Sequence, residues 1–400
     1  MLLRELFLRE ATTQGTAVKK KLGRAFNHLE DLVFFHGSSG ALEALNHIEE
    51  VGTDSSSIRM KWDGAPQVYW GRTEDGTFIL ANHNGWLRGG KGTSDLADFT
   101  SSRGIYNFIL NKSGNPKTPE EESARKDFAA NFSHLYEIFK EATPEKFRGF
   151  VYADALFLNP PQADDNNVYN LNPNPKSKTV YHISQDTELG QRIANAQVMV
   201  VGHGIFDTFG ADDSAQKPKT SFDEFNGNSD LIVLGPYYTQ IQPKIDTKAI
   251  DQLQAYIQEH GGDLDAFLQP IPGVSNFKDM MYRYVNTMSK QGQLPNVANN
   301  FMNWIDTGGV VSAGQAQKIK DRAAQHPSAL PVMFKVFTDL MNLKNSIIAQ
   351  LDQDPGEIKA TNGEGWVRYG EKGKTFGNVK FVPRTNIETP RGTTIPAWIP

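Results

Sequence analysis

Cysteine is absent from this 400-residue chain, which excludes disulfides, thiolate metal sites and cysteine nucleophiles together. No run of about 18 apolar residues occurs, so no segment is expected to span a membrane. A strong field of either sign is also missing. The 41 basic and 46 acidic residues leave a formal net charge of −5, too weak for a nucleic-acid coat protein, so any polyanion site must be local. The first ten residues, Met1 to Glu10, are amphipathic and carry acids, unlike a secretory signal with its continuous apolar core. A reducing cytoplasm is compatible with these absences.

What is present fits a globular, loop-rich, mixed chain. Hydrophobic residues make up 38% and aromatics 10%, with 35 glycines and 21 prolines, and the length implies two to three domains. Residues 1–50 read mainly as helix, with a new helix opening at Ala41 behind Ser38-Ser39-Gly40. The period then changes to two. Ile58 to Trp62, Gln67 to Trp70 and Thr77 to Asn82 read as an antiparallel meander, punctuated by Asp63-Gly64-Ala65-Pro66 and Glu74-Asp75-Gly76. A helix is expected around Phe128 to Phe139, strands at Phe150 to Ala153 and Ala196 to Val201, and an Asn/Pro-rich loop at 158–178. From 247 to 352 the pattern is helical, with Ile250, Leu253 and Ile257 on one face and Val336, Leu340, Leu343, Ile347 and Leu351 on another. Strands resume at Gly365 to Tyr369 and Asn378 to Val382. The expected class is α+β: a core at 1–246 and 353–400 built on antiparallel sheets, with an all-helical insertion at 247–352.

Three constellations carry candidate chemistry. Lys61-Trp62-Asp63-Gly64 places a lysine at a strand end beside a tight turn, where a rigidly held amine can act as a covalent nucleophile once deprotonated; the plain alternative is a hairpin turn with a surface lysine. Glu364-Gly365-Trp366-Val367-Arg368, with Lys380 on the next strand, offers a metal-binding carboxylate and a phosphate counter-charge, or else a solvated strand face. Phe150 to Asp154 delivers one acid after an apolar run, which is also how a turn former sits. Other patterns are weaker. Asp164-Asp165-Asn166-Asn167 lacks the ligand spacing of a Ca²⁺ loop, and the nine histidines show no zinc-enzyme pairing. Lys19-Lys20-Lys21 with Arg24 makes residues 1–30 basic by three charges, as are residues 356–400; either end could flank a nucleic-acid path.

In order, these elements resemble the covalent nucleotidyltransferase superfamily of ATP-dependent DNA and RNA ligases and mRNA capping enzymes. Lys61 to Gly64 resembles its motif I, Asn82-His83-Asn84-Gly85 the short turn that follows, and Phe150 to Asp154 motif III. Val198 to Asp207 resembles motif IIIa, Glu364 to Arg368 motif IV and Val379-Lys380-Phe381 motif V. The resemblance implies an ATP-grasp-like ligase core in which Lys61 takes up AMP from ATP, Glu364 and Asp154 hold Mg²⁺, and Lys380 pairs with the α-phosphate. Asp63, Gly64, His83, Arg88, His203, Phe206 and Arg368 would complete the cofactor site, with His203 or Phe206 stacking on the base. Asp154 stands where the family has glutamate, His83 where arginine is frequent, and Lys380 lacks the usual second lysine unless Lys374 supplies it. About 20 residues follow motif V, too few for an OB-fold, so RNA ligases without that domain are the nearer comparison. The implied partner is nicked or 5′-phosphorylated DNA or RNA. Such an enzyme would work in the cytoplasm, the host's if a bacteriophage encodes it. Transfer to an RNA 5′ end or a protein, or a non-catalytic fold used for binding or assembly, are the alternatives.

Overall fold

The computed structural model describes residues 27–112, 118–174, 179–307, 311–354, 356–361, 365–369 and 378–384. The expected helix before residue 27, the lysine run at 19–21, Glu364, Lys374 and the end of the chain after 384 lie outside the described residues. The fold is α+β and divides into two compact units. One holds the described residues of Trp62–Tyr237 and Gly356–Glu364; the other holds those of Gly23–Lys61, Tyr238–Pro355 and Gly365–Pro400.

In the first unit, strands β3 (Gln67–Arg72) and β4 (Phe78–Asn82) form the expected hairpin, closed by Thr73–Thr77. They extend into a five-stranded sheet of order β4-β3-β5-β8-β9, with β5 at Gly149–Phe157, β8 at Val198–Phe206 and β9 at Leu231–Leu234. The β8–β9 pair is parallel, so the sheet is mixed rather than purely antiparallel. Val68 and Trp70 face a helix at Pro119–Ala142, whose start is fixed by Thr118 capping the Glu121 N–H and by Pro119 in the first turn. That helix buries Phe128, Phe132 and Phe139, each contributing roughly 1.5–3 kcal/mol. Phe139 meets Trp70 edge to face at 4.8 Å. A second sheet, β10 (Ile358–Thr361), β7 (Val180–Ser184) and β6 (Val168–Leu171), forms partly within the stretch read as a loop.

The second unit joins α1 (Leu32–Thr53), which has a non-helical Gly37 at φ 66°, to the helices of the 247–352 block. Among the described residues, five α-helices lie in that block: Thr247–Phe267, Phe277–Lys290, Val297–Thr307, Ala313–Gln325 and α6 at Ala329–Leu351. A four-stranded sheet, ordered β1 (Asn27–His28), β12 (Asn378–Phe381), β11 (Trp366–Tyr369), β2 (Ile58–Met60), belongs to the same unit. The helical block is therefore not a separate insertion: it packs with residues 27–61 and 365–384. Nor does β2 pair with β3 in a meander. Its partner is β11, with Met60 opposite Trp366, and Ile58, Val379 and Phe381 are fully buried.

Charge is buried here as well. The Lys344 ammonium on α6 donates to both oxygens of Glu30 at 2.8 and 2.7 Å and to the Val382 carbonyl at 2.8 Å. Arg384 donates to Glu30 at 3.1 Å, to Asp31 at 2.5 Å and to Asn286 at 2.5 Å. The two cations hold the Glu30 carboxyl below the usual range despite burial, which opposes them, while burial raises that of Asp31 to about 6.

Candidate active site

In the second unit, the Lys61 N–H donates 2.9 Å to the Gly365 carbonyl, continuing the β2–β11 ladder by one residue. Lys61 thus sits opposite the residue that follows Glu364. Lys380 lies opposite Val367 on the next strand and is half-buried. The lysine of the first constellation and residues 365–368 and 380 of the second are thereby brought onto one sheet. Arg368 goes to the reverse face. Arg368 is 9% exposed, and its guanidinium is held by His47, Glu50 and, at 3.1 Å, the Ser57 hydroxyl, all within the same unit. That arrangement fastens β11 to α1 and gives Arg368 a structural role in place of the cofactor contact expected of it.

In the first unit, strand alternation puts Gln67 and Tyr69 of β3 on the same face as Tyr152 and Asp154 of β5, since Tyr69 is opposite Tyr152 and Gln67 opposite Asp154. One end of this face is apolar. Trp86 stacks on Tyr69 at 4.5 Å, Tyr69 on Tyr152 at 5.0 Å, and Phe206 packs against Trp86 at 4.9 Å. Phe206 is 1% exposed and belongs to this core, so it offers no surface for a base to stack on. The other end is polar. A β-bulge in β8 lets Ala153 pair with Gly202 and Tyr152 with Gly204, leaving His203 as the extra residue. Its Nε2 lies 3.0 Å from Asp154 Oδ2, at an angle that makes no hydrogen bond, and its ring is 5.0 Å from that of Tyr152.

Gly64 lies directly over β5. Ala65 N–H donates to the Ala155 carbonyl at 3.0 Å, and a Cβ on Gly64 would fall 2.6 Å from that of Asp154. Beside it, the Asp63 N–H donates to the Tyr181 hydroxyl at 2.7 Å and Asn174 donates to Asp63 Oδ1 at 2.9 Å. Among the described residues, Trp62 Nε1, Asp63 Oδ2, Gln67 Oε1 and Asp154 Oδ1 are buried polar atoms with no hydrogen-bond partner. Each such orphan costs about 1–3 kcal/mol unless something satisfies it; others among the described residues, such as Trp70 Nε1, Arg125 Nε and Asn345 Oδ1, lie elsewhere.

His83 begins a helix at His83–Gly90. Asn82 caps it through the Gly85 N–H at 2.9 Å, and Trp86 docks it on the sheet. His83 Nδ1 is 3.4 Å from the Tyr69 hydroxyl; burial lowers its pKa, against the opposing pull of Asp213 and Asp154. Burial, with those same carboxylates, raises the Tyr69 phenol well above its ordinary value. Arg88 stands half-exposed on the last turn of this helix.

Gln67, Tyr69, Tyr152, Asn174, Tyr181 and Asp213 were not among the residues expected to act. The period of two in residues 67–71 and 150–154 was the available signal for the first three of these, Gln67, Tyr69 and Tyr152. No group of three or more His, Asp or Glu side chains able to hold a metal occurs among the described residues, and no helix among them is long and apolar enough to cross a membrane. Comparison with curated proteins and with solved structures finds no match. Residues 24–83 and 120–388 match the model of a family of unknown function (DUF6267), and the chain belongs to that family.

Proposed function

We propose that this protein is an ATP-dependent covalent nucleotidyltransferase that charges Lys61 with AMP and passes it to a 5′-phosphorylated nucleic-acid end for sealing to a 3′-hydroxyl. The observation that supports this reading is the backbone hydrogen bond from Lys61 to Gly365, the residue after Glu364 in sequence, one strand away from the β12 that bears Lys380. Deprotonated Lys61 Nζ attacks the α-phosphorus; a P–N bond forms, the bond to the bridging oxygen breaks, and pyrophosphate leaves with the electron pair while the amine proton goes to solvent. Lys380 offsets the charge on the α-phosphate.

The family resemblance alone, not the placement of the two units, would give Asp63, Asp154 and His203 contacts to the nucleotide. The orphaned, buried oxygens of Asp63 and Asp154 suit a hard cation, and one or two carboxylates with substrate phosphates are the usual Mg²⁺ ligands. Asp154 and Glu364 would hold Mg²⁺, which lowers the charge on the phosphoryl oxygens when bound.

The test is incubation with α-labelled ATP or GTP and Mg²⁺. An acid-labile covalent adduct with ATP, absent in Lys61→Ala, is expected, followed by transfer of AMP to a 5′-phosphorylated nick. An adduct with GTP alone would point to capping-type transfer, and no adduct with either nucleotide would leave a binding or assembly role.

A further inference from the structure

The three-stranded sheet of the first unit has two unlike faces. Tyr169 and Leu171 of β6, Tyr181 and Ile183 of β7 and Ile358 of β10 are buried on one side. The intervening residues fall on the other: Asn170 lies opposite His182, His182 opposite Lys359, and Thr361 comes next on that side of β10. Along this side runs an unbroken chain of side-chain hydrogen bonds. The Thr361 hydroxyl is 2.7 Å from His182 Nε2, His182 Nδ1 is 2.6 Å from Asn170 Oδ1, and Asn170 Nδ2 donates to Asp164 Oδ2 at 2.8 Å.

The direction of each bond follows from Asp164. Its Oδ1 accepts the Asn166 and Val168 N–H groups at 2.9 and 3.0 Å. The Asn170 bond, then that of Val168, holds its carboxyl below the ordinary pKa, so it is ionised and can only accept. The Asn170 group facing it is therefore the NH2, and the amide oxygen faces His182. That oxygen accepts the Nδ1 proton, which leaves the Nε2 lone pair to accept from the Thr361 hydroxyl. Burial lowers the His182 pKa, with Asp164 opposing, so the imidazole is neutral at pH 7, as a base must be. Thr361 itself is exposed. The acidic run that opens at Asp164, with the wrong spacing for a Ca²⁺ loop, serves here to orient an amide.

We propose that Thr361 is a covalent nucleophile toward uncharged acyl esters, with His182 as its general base and Asn170 and Asp164 positioning the imidazole. Nucleophile, base and orienting group stand within hydrogen-bond reach of one another in the order such chemistry requires. Thr361 Oγ1 attacks the ester carbonyl carbon as His182 Nε2 takes its proton. The bond to the leaving alcohol then breaks, the departing oxygen takes that proton back from Nε2, and the acyl group stays on Thr361 until water, deprotonated by the same imidazole, releases it as the acid. A phosphoryl donor would bring negative charge toward Asp164, whereas an uncharged ester brings none. None of these four residues belongs to the nucleotidyl-transfer reading, and the proposal stands apart from it.

The probe is p-nitrophenyl acetate, with nitrophenol release followed by absorbance and the acetylated residue located by peptide mass spectrometry. Acetyl is expected on Thr361, and Thr361→Val should lose both that adduct and the release that accompanies it. His182→Ala should slow acetylation of Thr361 by about 100-fold or more, the usual worth of a general base, and added imidazole should restore it. Asn170→Leu should slow it about tenfold, the worth of one hydrogen bond. Asn170→Asp combined with Asp164→Asn exchanges the two side chains, keeps an acceptor for Nδ1 and should recover the rate, which a loss of fold would not. Acetyl on His182 alone, acetylation of Thr361 no faster than that of other exposed threonines, or an unchanged rate in His182→Ala overturns the proposal.

Discussion

Gly64 and Asp154 approach so closely that a methyl group on the glycine would stand 2.6 Å from the aspartate Cβ and 2.8 Å from the Ala155 carbonyl oxygen. One of these neighbours is backbone, held by the bonds between Ala65, Pro66 and Ala155, so it cannot yield as a flexible side chain would. Gly64→Ala is expected to destabilise the protein by roughly 1–3 kcal/mol. Urea denaturation should show a lower midpoint at unchanged slope. An unchanged midpoint would mean that the 63–66 segment moves off β5 at little cost.

Asp154→Asn keeps the volume of the side chain but removes its charge beside His203. If Asp154 contacts a nucleotide or its metal, adduct formation should slow by about 10- to 100-fold, the worth of one hydrogen bond to a charged group. The melting temperature should change little. Adduct formation at the unaltered rate would remove Asp154 from the machinery.

Lys344→Met leaves Glu30 buried with its principal counter-charge gone, and a loss of about 3–5 kcal/mol is expected. Glu30→Leu combined with Lys344→Met should lose less than the sum of the single changes, because the two side chains act as a pair. Thermal unfolding of the four proteins measures this coupling; additive losses would show that the contact contributes little.

Acid should destabilise the fold from neutrality downward. Burial lowers the pKa of His28, His36, His83 and His182 in the folded protein. Each histidine therefore takes up its proton more readily in the unfolded chain, and stability is lost as pH falls through about 6.5. Asp31, raised to about 6, works in the other sense between about pH 4 and 6, one group against four. The melting temperature is expected to be lower at pH 5.5 than at 7.5, and a flat or inverted profile contradicts the assignment.

Local pattern was enough for some of this architecture. The β3–β4 hairpin follows from alternation on either side of Glu74-Asp75-Gly76, and the helices of 247–352 follow from three- and four-residue apolar steps. Alternation does not say which strand a strand will pair with. The sequence around Ile58 to Trp62 looks like half of a hairpin, and the competing partner at Trp366 to Arg368 is invisible to any local window. His203 was among the residues expected to act, but the bulge that turns it toward Asp154 depends on register with β5. Phe206 has the same strand signature whether its face is open or covered, and only the docking of Trp86 decides. Glu30, Lys344 and Arg384 look like surface charges until the fold brings them together, because charge is buried only where it is paired.

The hydrogen bond between Lys61 and Gly365 also fixes an order of events on the ribosome. Lys61 emerges early, yet its partner strand is about 300 residues further along, a delay of roughly 15–60 s at usual translation rates. Throughout that interval β2 has made none of its own ladder, and a nascent chain released before β11 and β12 would carry Lys61 without the strand it pairs with.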